Sequence, residues 1–492
     1  RRESLAMSKF HGIELYKPSQ SSSYTLLPLR FTPLDQDHYV LTNLAGEYLR
    51  LKRGTLDDFL LHKLSSDDPS YIELRARHFL IDESSSIAPE LLALKLRTKY
   101  ARLSEFTGLH LFVVTLRCEH SCPYCQVSRQ SEDKLRYDMS PEIAFGALDL
   151  TFRSPSTNIK IEFQGGEPLL NFELIKDIVL EAKKRNQQIR KNLAFVIATN
   201  LALINGGILD FCRSHSIQIS TSLDGPQAIH NSNRPRPGSN SYQKTIEGIT
   251  LVREALGRDQ VSALMTTTEA SLPCVEAIID EYLAQDFKGI FLRPLSPYGF
   301  AIKTKSYRAY NADRWVEFYK QGLQYILDLN RRGIEFMEYY ASMILKKMLT
   351  SDDPGYVDLT SPAGIGIAAV VYNYDGDVYA SDESRMLAEM GDTTFKLGNV
   401  LGNSYEEIFT SPNLLEPLEA SFSYSVPMCN DCAFEPYCGA DPVFHYKVQG
   451  DYVGRKPTSE FCSRNMEIFR FLIQRMETDT FAKQLFTRWA NR

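Results

Sequence analysis

Between Leu109 and Ser296 the chain alternates short β-rich runs with segments of helical length, and this order constrains the fold more than any other feature. The runs are LHLFVVTL (109–116), NIKIEFQGG (158–166), AFVIATN (194–200), IQISTSLDG (217–225), VSALMTTT (261–268) and GIFLRPLS (289–296). Most are rich in β-branched or aromatic residues and nearly continuously apolar, the pattern of parallel strands covered on both faces. Ser140-Pro141 marks one helix start, a capping side chain followed by proline at the first helical position. Repeated strand–helix order predicts an α/β fold: a parallel sheet or an open barrel with right-handed crossovers. Ligands in such folds sit beyond the C-terminal ends of the strands.

The flanking regions differ. Residues 1–90 form an N-terminal module: YTLLPLRF and HYVLTNLAGEYLRL read as strands, TLDDFLLHKL and PSYIELRARHFL as helices, with a serine-rich linker at 83–89. The barrel occupies 105–310, bridging helices 311–350, a Gly-, Pro- and Asn-rich segment 352–470, and a terminal helix 471–492. A net charge of −6 and no long Lys/Arg run argue against a nucleic-acid partner. No apolar stretch reaches the ~18 residues that span a bilayer, so no membrane association is expected. The opening RRESLAMSKF lacks the apolar core of a signal peptide, and Arg1 to Ala6 read as an extraneous extension ahead of Met7. A cytoplasmic location follows, where thiols stay reduced and cysteines serve metals rather than disulfides.

The nine cysteines fall into groups. Cys212 and Cys274 have no partner spacing and are expected to be buried small apolar residues. Cys118, Cys122 and Cys125 lie in CEHSCPYC, directly after the first strand. Three thiolates can wrap one metal centre but leave it a ligand short. Structural zinc wants four protein ligands, and His120, inside the tight loop, is the only nearby candidate. A [4Fe–4S] cluster on three cysteines would keep one iron open. Cys429, Cys432, Cys438 and Cys462 supply four thiolates, which suits zinc as well as a cluster.

The C-x3-C-x2-C spacing, with Tyr124 before the last cysteine, resembles the signature of the radical S-adenosylmethionine (SAM) superfamily. That resemblance implies a partial (β/α)6 TIM barrel in which SAM chelates the open iron through its amino and carboxylate groups. Reductive cleavage of SAM then gives methionine and a 5′-deoxyadenosyl radical that abstracts hydrogen from inert C–H bonds. The match continues at later strand ends. Gln164-Gly165-Gly166-Glu167-Pro168 is similar to the GGEP motif that holds the SAM amino group, the glycines admitting the ligand and the carboxylate pairing with the ammonium. Thr199-Asn200, Ser222 and Asp224 in SLDG match further SAM-facing positions, Arg234 the arginine on the SAM carboxylate, and Arg293 a further contact.

CNDCAFEPYC with Cys462 resembles the SPASM domain of radical SAM peptide maturases, which holds two auxiliary clusters. Here Ser361 and Ser381 stand where that pattern has cysteines, and Gly439-Ala440-Asp441-Pro442 lacks the expected fourth cysteine after Cys438. The missing positions belong to the inner cluster; the retained four are the outer cluster's full set. The resemblance therefore implies one auxiliary [4Fe–4S] cluster in a SPASM/twitch-like domain, two clusters in all. Asp382 aligns with a catalytic base of the sulfatase-maturating branch, and Asp441 is a weaker candidate. The N-terminal module resembles the winged-helix element that binds a leader peptide as an added strand. From FTPLDQDHYVLTNLAGEYL through CGADPVFHY to GRKPTSEFC the sequence most resembles the B-type maturase of His-Xaa-Ser peptide systems. The implied substrate is a ribosomally made precursor peptide with a leader, the implied donor a reductant such as flavodoxin or ferredoxin. The implied product is a carbon–carbon crosslink between side chains, of cyclophane type. Thioether formation, epimerisation, cyclopropane formation and sulfatase-type Cys/Ser oxidation remain open, as does a non-enzymatic zinc-knot scaffold that binds peptides.

Overall fold

The computed structural model describes residues 24–84, 87–304, 307 and 312–492; Arg1–Ala6 lie outside them. In the N-terminal module β1 (Tyr24–Leu26), β2 (Leu29–Pro33), β3 (His38–Asn43), β4 (Tyr48–Lys52) and β5 (Leu80–Asp82) accompany helices Arg53–Leu60 and Pro69–Ala76. β2, β3 and β4 form an antiparallel sheet, and β1 pairs with β5. Period-two alternation divides its work. Leu41 and Leu51 join Leu56, Phe59 and Leu74 in a core of the module's own. Arg30, Thr32 and Thr42 instead reach the segment at 430–435.

The central runs supply β6 (Leu109–Thr115), β7 (Asn158–Gly165), β8 (Asn192–Thr199), β9 (Ile217–Ser222) and β10 (Val261–Leu264), each parallel to the next. Helices Pro141–Arg153, Phe172–Ile189, Gly206–His215, Ser241–Leu256 and Val275–Ala284 follow in the intervals. Ser140 caps the first of them, its hydroxyl accepting the Ile143 N–H at 3.3 Å. The expectation of strands apolar on both faces fails for β7. Ile159, Ile161 and Phe163 enter the main core, but Lys160, Glu162 and Gln164 alternate with them. The inner face has no helix to meet and lines cavities instead.

The run at 289–296 does not complete the barrel as expected. Only Gly289–Ile290 is a strand, β11, and it pairs with β12 (Met337–Glu338) in a separate ribbon. Pro294 has no N–H to offer a ladder, and Thr267 takes the Arg293 carbonyl with both its N–H and its hydroxyl. The strand on the far side of β6 is β13 (Ala369–Tyr372), parallel to it, followed by antiparallel β14 (Asp377–Tyr379) and β15 (Lys396–Asn399). The spatial order is β10-β9-β8-β7-β6-β13-β14-β15, an α/β fold with a mostly parallel central sheet. This sheet runs across the expected boundary at 352. Bridging helices lie at Ala312–Arg331 and Tyr339–Leu349, and the C-terminal helix is two, Glu460–Thr478 and Thr480–Ala490. Among the described residues no helix is long and apolar enough to cross a membrane.

Candidate active site and a second thiol cavity

CEHSCPYC leaves β6 at its C-terminal end and turns tightly, Cys125 N donating to Cys122 O at 3.1 Å. Neighbouring segments fasten it. Ser121 N reaches Pro235 O at 2.8 Å, Phe300 N reaches Cys125 O at 2.7 Å, and Gly166 N and Glu167 N bond Thr115 O and Arg117 O at 2.8 and 2.7 Å. Cys118, Cys122 and Cys125 then line a cavity of ≈ 240 Å³. Tyr124, Gln164–Gly166, Thr199–Asn200, Ser222, Arg234, Arg293 and Asp382 share its wall. Residues distant in sequence thus converge at the C-terminal ends of the strands.

Asp224 and Glu167 do not reach that wall. Asp224 is fully buried behind it and accepts Arg234 Nε at 2.9 Å, Arg234 Nη2 at 3.2 Å, the Tyr124 hydroxyl at 2.7 Å and Thr266 N at 3.2 Å. Burial alone would raise its carboxyl, but the Arg234 charge and these bonds hold it below the usual range. The Arg234 guanidinium, 5.5 Å from the Tyr124 ring centroid, is raised in turn by that pairing. Glu167 spends its oxygens on Thr199 Oγ1 (2.6 Å), Leu169 N (3.1 Å) and Asn200 N (2.9 Å). Burial, then the charge of Glu119, push it up to about 8. It ties β7 to β8, and Pro168 begins the turn behind it. In this structure the carboxylate serves the junction of the two strands.

The two glycines also have another reason. A Cβ on Gly165 would stand 1.9 Å from Thr115 O, and one on Gly166 2.2 Å from Arg117 O. They admit the neighbouring backbone, and through it the cysteine loop, as well as edging the cavity.

Three thiols suit an iron–sulfur cluster better than zinc. Tetrahedral zinc would draw four sulfurs to about 3.8 Å of one another. Among the described residues the ligand atoms of only Cys118, Glu119 and His120 gather three within 4.8 Å. His120 turns its Nδ1 to Glu119 Oε1 at 3.0 Å and Asn200 Nδ2 at 2.9 Å, and gathers with only one of the three thiols. Burial raises Cys122 to about 12, while Arg234 lowers it, so a positive centre is needed to hold a thiolate here.

Residues 112–269 match the family model described as the radical SAM superfamily. This protein has a radical SAM domain. It is the domain of an enzyme superfamily whose cofactors are SAM and a [4Fe–4S] cluster. The sequence is 30% identical over 190 residues to an uncharacterized protein, MJ0907, of Methanocaldococcus jannaschii, covering 38% of this chain and 63% of that one. It is 23% identical over 340 residues to a cysteine-type anaerobic sulfatase-maturating enzyme of Clostridium perfringens strain 13, covering 65% and 84%. The match thus spans under two thirds of the length of the first relative. Two solved structures share the fold. Native anSMEcpe with bound AdoMet superposes with a TM-score of 0.62 at 18% identity, over 78% of this chain and 99% of that one. Streptococcus suis SuiB bound to precursor peptide SuiA gives 0.52 at 13%, over 89% and 99%.

Outside the radical SAM domain, Cys429, Cys432, Cys438 and Cys462 line one cavity of ≈ 300 Å³. No three of their sulfurs lie within 4.8 Å of one another among the described residues, again wider than zinc would draw them. Four soft donors around such a volume fit a fully protein-ligated cubane. The N-terminal sheet helps enclose it. Thr32 lines the cavity, its hydroxyl accepting Ala433 N at 3.0 Å, and Arg30 pairs with buried Glu435 at 2.8 Å. The three positions that lack the inner cluster's cysteines make other contacts. Ser381 caps the helix Asp382–Ala388, Ser361 Oγ accepts Ser423 N at 3.0 Å, and Gly439 packs on the backbone at 358–360. Cys212 is buried in the core as expected, but Cys274 is half-buried at a helix start.

Some wall residues escaped the sequence reading. Glu162 and Ser220 line the cavity from the inner faces of β7 and β9, and Gln126 and Arg129 from the loop after the cysteines. Glu162 and Ser220 were signalled by alternation within NIKIEFQGG and IQISTSLDG, where a polar residue recurs every second position.

Proposed function

We propose that the protein is a radical SAM enzyme that modifies a ribosomally made precursor peptide. The observation that carries this reading is the convergence of the three thiols, Arg234 and Asn200 on one ≈ 240 Å³ cavity wall, with Asp382 beside them. Bound there, the [4Fe–4S] cluster and SAM supply a 5′-deoxyadenosyl radical able to take hydrogen from an unactivated C–H bond. Cys118, Cys122 and Cys125 would hold the cluster. Arg234, fixed by Asp224, presents a guanidinium to a carboxylate, and Asn200 and the 165–166 backbone offer polar contacts to the ligand. Asp382, with one oxygen held by Arg385 Nη2 at 2.7 Å, would accept a substrate proton.

The peptide is supported by the N-terminal sheet, docked on the second thiol cavity, and by the fold shared with SuiB, whose structure contains the precursor peptide SuiA. Joining of two side chains through carbon is the preferred outcome, with the auxiliary [4Fe–4S] cluster on Cys429, Cys432, Cys438 and Cys462 as an electron carrier. A low-potential donor such as flavodoxin or ferredoxin and a reducing cytoplasm suit nine free cysteines. Oxidation of a Cys or Ser in a sulfatase-like substrate is the second reading, favoured by Asp382 and the Clostridium perfringens relative. Co-expression with the peptides encoded beside the gene, followed by mass spectrometry, separates them. Loss of two hydrogens marks a crosslink, an aldehyde marks sulfatase-type oxidation, and unmodified peptides with no 5′-deoxyadenosine from reconstituted protein would end both.

A further inference from the structure

Asp358, Glu383 and Asp441 meet in a separate cavity of ≈ 40 Å³, together with Arg293, Arg464 and Tyr298. They come from three distant turns: the 357–359 turn, the start of helix Asp382–Ala388 and the cap of helix Pro442–Gln449. Tyr298 is 1% exposed, and its hydroxyl finds no hydrogen-bond partner among the described residues. A volume of this size takes an ordered water that joins such a hydroxyl to the carboxyls.

Charge dictates the chamber's state. Three carboxyls against two guanidiniums leave one negative charge uncompensated in a buried space, and a bound proton removes it. Every packed segment contributes: Tyr356 and Asp358 from one turn, Asp382 and Glu383 from one helix, Arg293 and Tyr298 from the loop after β11, Tyr307 beyond it, Arg464 from helix Glu460–Thr478, and Asp441. Burial and then the charge of Asp358 push Glu383 up to about 7. The chamber is not isolated. Arg293 lines both it and the main cavity, and Asp382, next to Glu383 in sequence, faces the main cavity.

We propose that this chamber is a proton-accepting site that serves Asp382, a deepening of the proposed function on which it rests. A proton leaving the substrate passes to the Asp382 carboxylate: a C–H bond breaks, its electron pair stays with the substrate, and an O–H bond forms. In its deprotonated form the chamber takes that proton through water, which cancels its surplus negative charge and returns Asp382 to its ionised form. Glu383 acts through Asp382 and is a positioning residue.

Glu383→Gln, Asp441→Asn and Tyr298→Phe, prepared as cluster-loaded holoenzyme, test it. Infrared difference spectra across neutral pH should show a protonated-carboxyl band in the wild type that titrates near 7 and is lost in Glu383→Gln. The pH optimum of peptide modification should move by about one unit or more in Glu383→Gln. Tyr298→Phe, which removes only a hydroxyl, should perturb the same band. Unchanged bands and superimposable pH profiles in all three variants would overturn the chamber's role. Absence of 5′-deoxyadenosine from the wild type would instead strike the proposed function, and the infrared titration still reads the chamber.

Discussion

Arg234 closes on Asp224 through two nitrogens, Nε 2.9 Å from Oδ2 and Nη2 3.2 Å from Oδ1, and the Tyr124 hydroxyl donates to the same fully buried carboxylate. The carboxylate thereby joins the cysteine loop to the segment that crosses over it. Asp224→Asn leaves a largely buried guanidinium without its counter-charge, which costs about 3–5 kcal/mol when a buried pair is broken on one side. The expected result is a lower melting temperature and SAM binding weakened about tenfold or more. Arg234→Lys keeps the charge but not the fork, and should bind SAM more weakly than wild type while folding normally. Equilibrium dialysis with SAM and thermal melts read both; wild-type affinity in Asp224→Asn would refute the pairing's role.

The two thiol cavities should separate by substitution. Converting Cys118, Cys122 and Cys125 to Ala should halve the iron bound after anaerobic reconstitution and abolish release of 5′-deoxyadenosine. Converting Cys429, Cys432, Cys438 and Cys462 should also halve the iron yet leave SAM cleavage detectable, with peptide modification lost. Electron paramagnetic resonance on SAM addition should shift the signal only where the first set is intact. One cluster's worth of iron in the wild type would show that the second cavity holds something else.

Much of this site is legible in the sequence because its chemistry is carried by rare residues at fixed spacing. CEHSCPYC, QGGEP and the last four cysteines could be placed at strand ends or in loops from pattern alone. What was not legible depends on partners far away in sequence. That Glu167 bonds Thr199 and Asn200 across the two strands is not announced by QGGEP. GIFLRPLS has the composition of a strand, but Pro294 and Thr267 deny it a ladder, and β13, well downstream of it, takes the place beside β6 that no local pattern announces. The carboxyl chamber was equally hidden, since Asp358, Glu383 and Asp441 share no motif.

Gly166→Ala should be among the most damaging small substitutions in the protein. Its Cβ would meet the Arg117 carbonyl at 2.2 Å, backbone that can retreat only by moving the cysteine loop. Gly206, at a helix start where an added Cβ would find nothing within 4 Å, provides the control. Gly166→Ala should lose iron and melt at lower temperature, whereas Gly206→Ala should match or exceed the wild type. Equal melting temperatures for the two variants would contradict the close-approach argument.

The N-terminal sheet should be coupled to the second cavity through Arg30. Its Nη1 is 2.8 Å from Glu435 Oε2 and its Nε 2.7 Å from Asn430 O, with the Arg30 and Glu435 side chains both buried. Arg30→Met strands the Glu435 carboxylate and should weaken the fold by about 3–5 kcal/mol while releasing iron from the second cavity. Adding Glu435→Gln removes the orphaned charge and should recover part of the loss, a coupling that a double-mutant cycle by chemical denaturation measures. Additive effects would mean that the sheet and the thiol loop do not depend on each other here.

His110 gives the fold a defined sensitivity to acid. It is fully buried in β6, and in the neutral ring its Nε2–H donates to Thr107 O at 3.0 Å while its Nδ1 accepts the Tyr372 hydroxyl at 3.1 Å. Burial holds its pKa at about 4, against the opposing pull of the Thr107 carbonyl. In the unfolded state it titrates near 6.5, so between 6.5 and 4 that state binds more protons than the folded protein. Stability from this residue is therefore complete above about 6.5 and drains away as the pH falls toward 4, by about 3 kcal/mol in all. His230 and His445, also held at about 4, add to the same trend. His110→Gln removes one titrating ring, so its unfolding free energy should fall less steeply than the wild type's between pH 6.5 and 4. Parallel slopes in urea titrations across that window would show that His110 is not the group responsible.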